Sequence, residues 1–257
     1  TTRGHTYMKT PTYYFNKNFK NVAVKLSGGT DSSLLYYKIC EFYKGTNTNI
    51  FPITLVSDKK PFYRDNANRI ALIVKVLTGV SPTQHIFVEG PHSEYEQLLN
   101  NAVLNFHKQN KLDIVYTGMT INPPLEKLSK SLMRWNYEKY DSMEYNYPSV
   151  NHYKDITKGF YHIEKRDSKR DIELNTDPIS IVNNTTDLLC NSPFSECTKK
   201  AVANEYEKLD LMESLFPFTI SCADYTDETY TTLDEHSHCE NNCFPCIERY
   251  WAFRRFK

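Results

Sequence analysis

The densest chemistry in the chain is Ser27-Gly28-Gly29-Thr30-Asp31-Ser32-Ser33. Two adjacent glycines let a backbone approach a ligand closely and turn through positive φ. The hydroxyls and the carboxylate that follow suit the first turn of a helix, where side-chain oxygens meet free N–H groups. Those N–H groups and the positive end of the helix dipole form an anion site, and a phosphate chain is the simplest anion for it. The competing reading is an ordinary turn with a good cap. A second set of chemistry-bearing residues is Cys239-x3-Cys243-x2-Cys246, with Cys222 upstream. Four thiolates suit tetrahedral zinc in a closed structural site. The alternatives are His236 or His238 in place of Cys222, and free thiols with no metal.

Both sets need elements to position them. An apolar run at 22–26 precedes the glycines and Leu34-Leu35-Tyr36-Tyr37 follows them, which predicts strand, glycine turn and helix. The pattern continues with strands at 50–56, 84–88 and 112–116 and helices at 31–43, 65–77 and 93–108. Ile70, Leu72, Ile73, Val74, Val76 and Leu77 mark the second helix, and Gly79 is its C-cap. Leu98, Leu99, Val103, Leu104 and Phe106 mark the buried face of the third. Strand–helix alternation predicts an α/β fold, a parallel sheet with helices on both faces. Ligands of such sheets bind at the carboxyl ends of the strands. That rule gathers the glycine turn, Val56-Ser57-Asp58 and Thr117-Gly118-Met119-Thr120 at one rim.

Residues 119–192 are rich in Asn, Tyr, Lys and Asp, weakly periodic and interrupted by prolines, so they read as an insertion or lid. The mixed-sign run at 164–171 reads as a solvated face. Order returns with a helix at 198–210, an extended stretch at 218–222 and a final helix at 248–257. The division is then an N-terminal arm at 1–20, packed down by Tyr7, Tyr13, Tyr14 and Phe15; a nucleotide-binding core at 21–118; the insertion at 119–192; and a C-terminal helical region with the cysteine knuckle at 193–257.

The 257 residues permit one large domain with an appendage. Lys+Arg and Asp+Glu are both 31, which weighs against a nucleic-acid partner, a local basic patch aside. No apolar run approaches the ~20 residues that cross a bilayer, and residues 1–20 lack the apolar segment of a secretory signal. The expectation is a cytoplasmic protein with no membrane partner. Seven cysteines, an odd number with several clustered, favour metal over disulfides in a reducing compartment.

Ser27-Gly28-Gly29-Thr30-Asp31-Ser32 matches the SGGxDS signature of the PP-loop ATP pyrophosphatases, and the chain resembles that family. The family includes GMP synthetase, asparagine synthetase, NAD synthetase and tRNA-modifying adenylating enzymes. Within it, Ser221-Cys222, the Cys239–Cys243–Cys246 knuckle, Arg249 and Trp251-Ala252-Phe253 resemble the end of 7-cyano-7-deazaguanine synthases, in the divergent form carried by bacteriophages. Pro193-Phe194 followed by Lys199 resembles a PL…K segment of that class. The likeness covers 22–33, 193–200 and 218–254; the knuckle is one residue longer than usual, and the family's tyrosine–proline–aspartate segment is not recognisable.

The resemblance implies an adenine nucleotide alpha hydrolase-like fold and an ATP-dependent ligase that uses ATP, Mg²⁺ and Zn²⁺. Ser27, Gly28, Gly29, Thr30, Asp31 and Ser32 would hold the departing pyrophosphate, with Asp31 anchoring Mg²⁺. Lys199 would be a second cation on the phosphates, with Lys59, Lys60 and Arg64 as alternatives. Val56 would meet adenine through backbone groups, and Gly118 would share the rim. Cys222, Cys239, Cys243 and Cys246 would hold zinc. The implied partners are a deazapurine, 7-carboxy-7-deazaguanine, and ammonia. Phe62, Tyr63, Trp135 and Phe160 are candidates to stack on the base, and Asn122 to read its edge. Two other readings stand beside this one: a PP-loop enzyme that adenylates a tRNA base for thiolation or amidation, and a non-catalytic nucleotide-binding protein. A homodimer is compatible with the sequence, as is the host cytoplasm for a phage-encoded chain.

Overall fold

Val22, Ala23 and Val24 are all fully buried, the mark of a strand covered on both faces. In the computed structural model, which describes residues 9–58, 60–121, 123, 179–181, 187–221 and 244–254, they lie in strand β1 (Asn21–Lys25). The chain continues through α1 (Thr30–Tyr43), β2 (Asn49–Ser57), α2 (Tyr63–Thr78), β3 (Ile86–Gly90), α3 (Tyr95–Asn110) and β4 (Ile114–Tyr116). Each falls within a few residues of its predicted place. Gly79 caps α2 in the left-handed conformation, at φ 77, and its N–H donates to the Lys75 carbonyl.

Strands β5 (Ile179–Ile181) and β6 (Leu189–Asn191) come from the stretch that reads as irregular. Three residues are too few to show a period, so these strands exist by pairing and not by local pattern. Then come α4 (Lys199–Lys208), a single 3₁₀ turn at Phe216–Phe218 and α5 (Phe244–Phe253). The extended stretch expected from residue 218 therefore begins inside a turn. Helix α5 starts four residues before its expected place, with Pro245 in its first turn, where the missing N–H costs little.

The sheet order is β3-β2-β1-β4-β6-β5. β3, β2, β1, β4 and β6 are parallel, and β5 runs antiparallel on the edge. The direction of winding reverses between β1 and β4, so the turn after β1 sits at the switch point of a doubly wound sheet. Helices cover both faces. Val22, Val24, Ile50, Ile114 and Tyr116 pack with α1, α2 and α4. Ala23, Phe51, Ile53, Leu55 and Val115 pack with Leu99 and Val103 of α3 on the other face. In α2 only part of the apolar set faces inward: Ile70 and Val74 are buried, while Leu72 and Val76 are exposed.

Residues 9–20 form no regular element but are well anchored. Thr12 N–H donates to the Pro193 carbonyl, and Asn191 gives and takes bonds with Thr12 and Tyr14. Phe15 stacks on Tyr13 and Phe42. Among the described residues no helix is long and apolar enough to cross a membrane.

Candidate active site

The glycine turn starts from a pinned base. Leu26 N–H donates to the Ile53 carbonyl, and the Thr54 hydroxyl donates to the Leu26 carbonyl at 2.6 Å. Gly28 then turns through φ 79, and a Cβ there would lie 2.1 Å from Nδ2 of the fully buried Asn66. Only glycine fits both the angle and the space. Gly29 has an ordinary extended backbone, and a Cβ there would meet nothing closer than 3.5 Å. Its bareness matters toward the cleft. Ser27 N–H donates to Ser32 Oγ at 3.2 Å, and the two hydroxyls lie 3.0 Å apart, which holds the turn closed on itself.

Helix α1 begins at Thr30 with no side-chain cap. A missing cap costs about 1 kcal/mol. The loss is outweighed by the fully buried Leu34, Leu35 and Ile39, each worth about 1.5–3 kcal/mol. The first-turn amides are thus left for an anion. The Tyr206 hydroxyl donates to the Thr30 carbonyl at 2.9 Å; burial first, with the Asp31 carboxylate adding to it, holds Tyr206 well above its usual pKa and keeps that donor in place. A Cβ on Gly118 would sit 2.9 Å from the Asp31 carbonyl carbon and the Ser32 nitrogen. The exit of β4 is pressed on the first turn of α1, and Gly118 is there for that contact.

The opposite wall is made of side chains. Lys199, the first residue of α4, lies 3.0 Å from Asp31 Oδ2 and 3.3 Å from Glu248 Oε2. Lys199 and Glu248 are buried. The next residue, Arg249, is fully buried; it donates to Thr219 Oγ1, Ser221 Oγ and the Phe216 carbonyl, and its guanidinium lies 4.0 Å over the Phe216 ring. Through these bonds α5 fixes residues 216–221, and Ile220 N–H donates to the Gly28 carbonyl at 3.0 Å.

Between the two walls lies a cleft of about 250 Å³, lined by Ser27, Gly29, Thr30, Asp31, Ser32, Tyr63, Gly118, Met119, Lys199, Ile220, Ser221, Pro245 and Glu248. The first turns of α1, α4 and α5 all reach it. Three helix N-termini with a buried ammonium attract an anion. Whole small-molecule sites run to about 300–1,000 Å³, so the cleft suits a phosphate chain better than an entire nucleotide. The trio of two carboxylates and one ammonium carries excess negative charge, so a polyphosphate would need a cation with it. Asp31 and the hydroxyls of Ser27, Thr30 and Ser32 are hard oxygen donors, the set Mg²⁺ prefers.

No family model matches the sequence, and no curated protein does. Among solved structures the chain is similar to the U34-tRNA thiolase NcsA from Methanococcus maripaludis, a structure with a 4Fe–4S cluster, at a TM-score of 0.45 and 15% identity. The match covers 91% of this chain and 65% of that one. A likeness of that degree carries no residue role across.

Of the residues singled out in the sequence, Ser27, Gly29, Thr30, Asp31, Ser32, Gly118 and Lys199 line the cleft together, and Gly28 shapes it from behind. Val56 does not line it; it pairs with Glu89 toward the end of β2. Arg64 is drawn away to Glu89 and the Phe87 ring. Lys60 lies by Tyr63, so neither stands where Lys199 does. Phe62 is core, whereas Tyr63 faces the cleft. Lys59, Asn122, Trp135, Phe160, Cys222, Cys239 and Cys243 lie outside the described residues, and of Cys246 only its place in α5 is described. Among the described residues no group of three His, Cys, Asp or Glu side chains is placed to hold a metal. Burial pushes the thiols of Cys40 and Cys197 up to about 12 and about 11, so both are poor nucleophiles. Sequence reasoning missed Glu248 as a site residue. No local signal marks it: it stands early in α5, and only packing brings it to Lys199.

Proposed function

We propose that this chain is an ATP pyrophosphatase of the PP-loop kind, which activates an oxygen of a second substrate by adenylation. The observation that carries the reading is the Asp31–Lys199 pair, set against an uncapped helix start at the switch point of the sheet. ATP with Mg²⁺ supplies an electrophilic α-phosphorus and a pyrophosphate leaving group. The chain's part is electrostatic. The first-turn amides of Thr30, Asp31 and Ser32, with the Ser27 and Ser32 hydroxyls, bind and orient the β- and γ-phosphates; the Ser33 N–H already donates to the Gly29 carbonyl. Asp31 would hold the cation, and Lys199 would neutralise charge that builds on the departing oxygens. Tyr63, which lines the cleft, would be the aromatic residue to meet a ring.

For the second substrate we propose 7-carboxy-7-deazaguanine with ammonia. Its carboxylate displaces pyrophosphate to give an acyl adenylate, and ammonia then displaces AMP to give the amide. A second adenylation, on the amide oxygen, and loss of AMP and a proton leave the nitrile. Sequence motifs support this finer step: the Ser221-Cys222 pair, the Cys239–Cys243–Cys246 spacing and Arg249.

The test incubates the protein with ATP, Mg²⁺, ammonia and 7-carboxy-7-deazaguanine. AMP, pyrophosphate and the nitrile mass are the expected products. ADP and phosphate would refute the adenylation reading. No nitrile, with AMP formation stimulated by an unmodified tRNA transcript and not by the deazapurine, would replace the deazapurine by an RNA base.

A further inference from the structure

We infer that Glu248 is the positioning residue of this site: it holds the Lys199 ammonium against the glycine turn and leaves Asp31 to serve the metal–nucleotide. The second half of this inference rests on the nucleotide reading above; the Lys199–Glu248 pairing does not.

Lys199 has two carboxylate partners at similar distance, 3.0 Å to Asp31 and 3.3 Å to Glu248. Their settings differ. The Asp31 side chain keeps 12% of its surface open, stands in the first turn of α1 and takes the Thr30 hydroxyl at 3.2 Å. The Glu248 side chain keeps 2% and comes from the opposite wall. A divalent cation entering with a polyphosphate meets Asp31 first and draws it from Lys199. A lysine is a flexible stem with a rotatable point charge; of its two carboxylate partners among the described residues, Glu248 is the one that goes on directing it.

Glu248 is built to stay. Its neighbour Arg249 ties α5 to residues 216–221 by three hydrogen bonds and a ring contact, and Ile220 ties that segment to Gly28. The carboxylate that aims Lys199 and the turn it aims at thus share one rigid frame. There is also a cost to explain. A buried carboxylate on the wall of an anion cleft repels the anion, and burying an ion costs several kcal/mol. The arrangement favours binding only if Glu248 acts through the cation it holds.

That argument gives a test by sign. Binding of magnesium α,β-methylene-ATP is measured by calorimetry for wild type, Glu248→Gln, Lys199→Met and the double variant, and each is unfolded in urea. Glu248→Gln removes a negative charge, yet it is expected to weaken binding roughly ten-fold. In the Lys199→Met background the same change is expected to tighten binding or leave it unaltered. Glu248→Asp, which keeps the charge on a shorter stem, is expected to restore part of the loss and stands in should Glu248→Gln fail to fold. Tighter binding by Glu248→Gln in both backgrounds would make Glu248 a bystander. In urea, the two single losses are expected to add to more than the loss of the double variant; simple additivity would overturn the pairing. Failure of the wild type to bind the analogue would refute the nucleotide reading, and the urea cycle would still decide the pairing.

Discussion

The two walls of the cleft are built on different principles. The wall at 26–33 is backbone: a positive-φ glycine, an uncapped helix start and two hydroxyls folded onto the turn. The facing wall is side chains from three distant segments, Lys199, residues 219–221 and Glu248 with Arg249. A backbone site needs only local rules, for φ, for capping and for where a strand ends. A side-chain wall needs packing, since nothing in the local sequence at 199 or 248 requires those residues to meet. Under the proposed function the first wall would offer amides to an anion, and the second would set where the Lys199 charge lies.

This contrast can be broken by variants, the largest expected effect first. Arg249→Met removes three hydrogen bonds from a fully buried cation and the support of residues 216–221. It is expected to cost about 4 kcal/mol in urea unfolding, with loss of nucleotide binding. A cost below about 1 kcal/mol would mean that the C-terminal wall stands without it.

Gly28→Ala and Gly29→Ala sharpen the comparison within the backbone wall. The first meets both a positive φ and Asn66, and should lower stability by about 2–3 kcal/mol. The second meets only ordinary contacts; its unfolding should stay within about 0.5 kcal/mol of wild type while affinity for the nucleotide analogue falls. Equal destabilisation by both would show that the turn is not divided into a structural and a binding glycine.

The base of the same wall carries a pH dependence. His85 lies 2.9 Å from the Thr54 hydroxyl. That hydroxyl already donates to Leu26, so the His85 ring must donate to it through Nε2. Burial first, and Arg64 second, lower the His85 pKa to about 4. A folded pKa below the unfolded value of about 6.5 means that the unfolded chain binds the extra proton between those values. Stability is therefore fully present above about pH 6.5 and falls as pH drops toward 4. A shift of this size corresponds to about 3 kcal/mol in full, and partial exposure reduces the expected loss to about 2. His85→Gln should flatten that part of the pH–stability curve; an unchanged curve would assign the acid loss to other groups.

Tyr206→Phe is the smallest test. It removes one bond to the Thr30 carbonyl and leaves the ring packed on Phe216 and Phe253. About 1 kcal/mol of unfolding free energy is expected to go, with analogue affinity nearly unchanged. A large loss of affinity would mean that the start of α1 is held from the C-terminal side and that the two walls are one unit.

Most of the sheet was legible because its strands and helices carry long apolar patterns. Strands β5 and β6 were not, since three residues carry no period and exist only through their neighbours. The glycine turn was legible down to single residues. Lys199 was legible through a motif, and Glu248 was not legible as a site residue at all. Val56 was expected to meet adenine through backbone groups; it stands toward the end of β2 and is not among the residues that line the cleft.

The sequence by itself determined an α/β alternation and a glycine turn leading into a helix start, because backbone angles, caps and periodicity act over a few residues. Tertiary structure alone decided that Asp31, Lys199 and Glu248 share one ammonium. Residues 168 and 217 positions apart by number from Asp31 come within about 3 Å of each other only because α4 packs on α1 and Arg249 locks α5 in place. Charges so buried are held there by the whole fold, and no local preference of the chain would bring them together.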